Sequence, residues 1–128
     1  MDLSTAATRD AAEVLDRALA GEADAVAGTF HSVVAKGGVT SAYDVAWCLA
    51  QTTVGDQLAR GPWRLEFPDI DQAPYEARWV ARFLSAYANG DPGTGTALCR
   101  AAQSDGHLTD CLLTLAGSAA ATLRRRFT

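Results

Sequence analysis

In this 128-residue chain the spacing that most plainly suggests chemistry is that of His107, Asp110 and Cys111. Positions i, i+3 and i+4 share one helix face, so an imidazole, a carboxylate and a thiol could converge on a cation, with Cys99 or Cys48 completing a tetrahedron. No Cys-x-x-Cys or paired-His motif supports that set. His107 and Asp110 also fall in the first turn of a helix, where polar side chains cap and solvate. The expectation is a structural role, with no metal and no cofactor. Nucleophilic catalysis needs a base held against a Ser or Cys. The only histidines are His31 and His107, and His31 shares a helix face with Asp24, Gly28 and Ala35, a solvent-facing set. Asp69 and Asp71 pair two carboxylates but lack the further oxygen ligands and closing Glu of a calcium loop. The run Gly90-Asp-Pro-Gly-Thr-Gly lacks the Lys and the preceding strand of a phosphate loop. No convergent catalytic set emerges.

Residues suited to recognition are more evident. Tyr75, Trp79, Phe83 and Tyr87 recur every four residues, with Arg78 and Arg82 beside them. Such a stripe either packs inward or, as aromatics flanked by Arg, forms the anchors of a dimer or partner surface. Trp63 and Phe67 add apolar bulk upstream, and together with Trp47 and Trp79 they could line a small-molecule pocket. Arg124, Arg125 and Arg126 form the only basic cluster. They suit the negative end of a helix dipole, and alternatively a nucleic-acid or acidic-partner contact. A helix-turn-helix laid over residues 27–49 offers no Arg, Lys, Gln or Asn at the start of its second helix to reach base edges.

The elements that must position these residues read as helices. The first spans about 5–20 and stops at Gly21; the second runs from Glu22 or Ala23 to Ala35 and stops at Gly37-Gly38. The third starts at Thr40 or Ser41, where Ser41 and Asp44 have capping-box spacing, and continues to Ala59. Residues 60–74 carry three prolines among Trp63, Leu65, Phe67 and Ile70, which predicts an ordered crossover with one short extended piece. Pro74 opens a fourth helix, to about Asn89. Asp91-Pro92 opens a fifth, to about 104, and a sixth covers about 107–126.

The two ends also echo one another. A 69-residue shift pairs Gly21 with Gly90 and Gly37 with Gly106 among eight identities in 50 positions, about twice the chance level. The expected fold is therefore all-α: a compact six-helix bundle, one domain over 1–128, made of two pseudo-repeated three-helix halves (5–59 and 75–127) joined by the crossover 60–74.

Composition bounds the rest. With 48% apolar and 20% charged residues the chain is globular, and no apolar run is long enough for a bilayer or a signal peptide, so a cytoplasmic location is expected. One Lys against ten Arg points to a GC-rich bacterial coding sequence. Residues 1–59 hold eight acids and three bases, which speaks against a general polyanion binder. The functional expectation is a non-enzymatic protein–protein interaction or regulatory module, with a protein partner or a second copy of the chain. The alternatives are a small-molecule binder or enzyme with an aromatic pocket between the halves, and a DNA-binding regulator using the arginine cluster.

Overall fold

The computed structural model describes residues 5–54 and 73–126. Over these residues the protein is all-α, with five helices: α1 (Thr5–Leu19), α2 (Ala23–Val54), α3 (Tyr75–Ala88), α4 (Pro92–Ser104) and α5 (Leu108–Arg126). Three of the breaks use one device. At Gly21, Gly90 and Gly106 the backbone takes φ values of 77°, 64° and 76°. Each glycine N–H returns to a carbonyl three residues back and the next N–H to one five back, as in Gly21 N to Ala18 O (3.1 Å) and Glu22 N to Arg17 O (3.0 Å). These bonds satisfy the orphan carbonyls of the ending helix, and positive φ is inexpensive only for glycine. The next residue at once starts a new helix. Asp91, for example, accepts the Thr94 N–H at 3.2 Å and the Thr94 hydroxyl at 2.5 Å, and those bonds hold its carboxyl below the usual carboxylate range.

The fourth glycine behaves differently: here two of the six expected helices join end to end, which leaves five elements over the described residues. The second and third expected helices form the single α2, kinked at Gly38, the one residue with non-helical angles (φ 70°, ψ −162°). The positive φ bends the axis without a loop, and the Ser41 side chain folds back over the space a Cβ on Gly37 would occupy. A glycine pair that ends a helix in isolation instead redirects one. The expected residues 55–59 of the third helix, and nearly all of the crossover, lie outside the described residues.

α2 and α5 each touch every other helix, and α1 packs on these two, while α3 and α4 pack on each other and on the α2–α5 pair. The pattern follows the apolar spacing. α1 contributes Ala7, Ala11 and Val14, α2 contributes Phe30, Val33, Ala46 and Leu49, and α5 contributes Leu112, Leu115 and Ala119, all buried in one continuous cluster. Burying each large side chain in that set is worth about 1.5–3 kcal/mol. No charged side chain is buried among the described residues. No helix among them is long and apolar enough to cross a membrane.

Candidate functional site

The α3 stripe divides by burial. Trp79 and Phe83 are 3% and 0% exposed, whereas Tyr75 and Tyr87 are half-buried at the two ends. Trp79 stacks on Phe83 with ring centroids 4.8 Å apart, and its indole N–H donates to the Leu98 carbonyl at 2.8 Å. Phe83 meets Tyr43 and Trp47 of α2 edge-on at 6.1 and 5.8 Å, and Trp47 meets Tyr87 at 5.0 Å. α4 approaches these rings closely. A Cβ on Gly95 would stand 3.0 Å from both Trp47 and Tyr43. The Trp47–Trp79 region is therefore filled by protein; Trp63 and Phe67, the other expected walls of a pocket, lie outside the described residues.

One polar atom inside this cluster has no partner. The Tyr43 hydroxyl is buried without a hydrogen bond. Thr96 is turned towards it, with its own O–H donated to the Pro92 carbonyl at 3.0 Å, but the lone pairs it keeps do not meet the Tyr43 hydroxyl in hydrogen-bond geometry. Burial raises the Tyr43 phenol above its ordinary pKa, with Thr96 acting in the opposite sense.

The outward faces carry the charges. Arg78 and Arg82 of α3 are exposed, one helical turn apart, and neither has an ion-pair or hydrogen-bond partner among the described residues. At the start of the same helix the Tyr75 hydroxyl donates to Asp105 at 2.8 Å, and the Tyr75 ring stacks on His107 at 4.5 Å. That contact pins α3 to the α4–α5 turn and raises the Tyr75 phenol pKa, chiefly through the Asp105 bond.

The structure does not bring His107, Asp110 and Cys111 together. His107 is engaged with Tyr75, Asp110 is exposed, and Cys111 is fully buried. No group of three or more His, Cys, Asp or Glu side chains among the described residues could hold a metal ion. Cys99 and Cys111 are free thiols pushed up to about 12: Cys99 by burial and then by its neighbour Cys111, and Cys111 by burial and then by Glu76 and Asp110. At neutral pH such thiols are inert. The half-buried Cys48 is also raised, by burial first and then by Asp44. Of the arginine cluster, Arg124 reaches back across the bundle and donates to the carbonyls of Ala18 (3.2 Å) and Leu19 (2.8 Å), capping the end of α1 rather than its own helix. The Arg125 and Arg126 side chains lie outside the described residues. Of the would-be recognition helix of a helix-turn-helix, Ala42, Tyr43, Val45 and Ala46 face the core.

Two concave surfaces escaped sequence reasoning. One is a hollow of about 380 Å³ beside the α4–α5 turn, floored by Val34 and Leu108 and edged by His31 and Gln103. The other is a larger cleft of about 640 Å³ between α1 and α2, edged by Asp10, Glu13, Arg17 and Lys36. A signal for the cleft existed: Ala25, Gly28, Thr29 and Ser32 place a small-residue stripe at helical spacing on α2. Against known proteins, the chain matches no family model, no curated protein and no solved structure.

Proposed function

We propose that the protein is a non-enzymatic interaction module that receives an acidic segment of a partner protein, or of a second copy of itself, on the outer face of α3. The observation that carries this reading is the exposed Arg78–Arg82 pair. Both guanidinium groups are unpartnered among the described residues, on a helix whose adjoining face is fixed by Trp79 and Phe83. A rigid base lowers the ordering cost of binding, and Arg is favoured in interface hot spots for its forked fit to carboxylates. The proposal also takes the domain as two related halves. Its support is the matching stop at Gly21 and Gly90, which the 69-residue shift pairs.

The other readings draw less support. The space between Trp47 and Trp79 is occupied by packed rings, and Arg124 is already bound to α1. The deciding experiment compares wild type with Arg78→Glu/Arg82→Glu by affinity capture and light scattering. The double variant is expected to lose a captured protein or a self-association that an Arg100→Glu control retains. A monomeric wild type that enriches nothing beyond the double variant would sink the reading.

A further inference from the structure

The cleft between α1 and α2 has a composition unlike a simple helix–helix groove. Its open floor on α2 is Gly28, Thr29 and Ser32, of which Gly28 and Ser32 are exposed, and its edges carry Asp10 and Arg17 of α1 and Lys36 of α2. Arg17 is neutralised by Glu13, at 3.1 Å one turn away. Asp10 and Lys36 are not. They bear opposite charges and face the same cleft, yet neither forms an ion pair with the other or with any described residue. The Thr29 hydroxyl donates to Ala25 O at 3.0 Å and so keeps lone pairs free to accept. The Ser32 hydroxyl has no partner among the described residues.

Gly28 adds a separate observation. It lies inside α2, where glycine is a poor helix residue, and no atom within 4 Å of its missing Cβ requires it. Its effect is to leave that part of α2 bare and open to the cleft. The volume, about 640 Å³, is in the range of small-molecule sites, but the charged rim does not suit an apolar ligand. A bare anion drawn to Lys36 would meet Asp10, and a bare cation drawn to Asp10 would meet Lys36. A molecule bearing both charges, suitably spaced, meets neither penalty.

We infer that this cleft binds a small zwitterion, of the class of a free amino acid or short peptide. Asp10 receives its ammonium group and Lys36 its carboxylate, while Ser32 and Thr29 supply hydrogen bonds along the floor. This site lies on helices other than α3 and stands whether or not α3 docks a partner.

Thermal-shift and calorimetric titrations of the full chain test the inference, using glycine, glutamate, arginine and triglycine beside their N-acetylated and C-amidated counterparts. At least one uncapped probe is expected to raise Tm in a concentration-dependent way, while its capped forms do not. Asp10→Asn and Lys36→Met should each weaken that binding about tenfold or more. Gly28→Leu, which fills the floor and improves helix propensity, should abolish binding while melting at or above the wild-type temperature. Asp10→Asn, a conservative change at the surface, keeps the test decisive if Gly28→Leu folds poorly. Absence of binding by every uncapped probe at millimolar concentration overturns the inference, as does equal binding of capped and uncapped forms, or wild-type affinity in Asp10→Asn.

Discussion

Tyr43 shows packing prevailing over hydrogen bonding at a single side chain. Its ring is needed where α2, α3 and α4 meet, against Trp47, Phe83 and the bare backbone of Gly95, but its hydroxyl ends in the core unpaired. An unsatisfied buried hydroxyl costs about 1–3 kcal/mol, so Tyr43→Phe should leave the protein at least as stable and raise its unfolding free energy by about 1 kcal/mol. Urea denaturation followed by circular dichroism checks this; a loss of stability would mean that the hydroxyl has a partner in solution. The sequence marked Tyr75, Trp79, Phe83 and Tyr87 as a set from their spacing, but periodicity does not tell an inward stripe from an outward one. Gly95 held the missing information. A glycine inside a helix next to rings of that size marks a close approach, and it could be interpreted only once Trp47 and Tyr43 were known to lie opposite.

At the scale of the elements, the breaks were legible, and the lack of a loop at one of them was not. The sequences Gly21-Glu22, Gly90-Asp91 and Gly106-His107 each combine a residue that tolerates positive φ with a polar start for the next helix, and all three ends fall within a residue or two of expectation. Gly38 also takes positive φ, but it is followed by Val39 and Thr40, and the apolar stripe resumes at Ala42 and Tyr43, so core packing carries the helix through the bend. Arg124 was read as serving its own helix dipole. In the structure it holds the last carbonyls of α1, a contact between residues more than a hundred positions apart that local reasoning does not reach. Arg124→Ala should destabilise the protein by about 1 kcal/mol, the scale of an exposed charge at a helix C-terminus. Hydrogen exchange should show the loss concentrated in the last turn of α1; uniform loss across all helices would argue against a local cap.

At the scale of the whole molecule, stability is expected to fall at alkaline pH, most strongly through the buried thiols of Cys99 and Cys111. Cys99 and Cys111 ionise near 9.0 when unfolded and at about 12 when folded. Their contribution is intact below pH 9. It falls as pH rises towards 12, because the unfolded chain releases protons that the folded chain retains. At pH 10 the two together should cost about 3 kcal/mol relative to pH 7. Denaturation curves at the two pH values measure this, and a Cys99→Ala/Cys111→Ala variant should show a much flatter response. The candidate surfaces were less legible than the fold. Arg78 and Arg82 could be picked out as a pair, whereas the small-residue stripe of α2 marks one wall of the α1–α2 cleft but not the charged residues that α1 brings to the other. The aromatic cluster has one further consequence. Because Trp47 of α2 is held at fixed angles to Phe83 and Tyr87 of α3, their transitions couple across the two helices into an asymmetric near-ultraviolet band that is lost when α2 and α3 come apart. The protein thus carries a built-in optical gauge of its own assembly, in which disappearance of that band with far-ultraviolet helicity retained would report helices that have formed but have come apart.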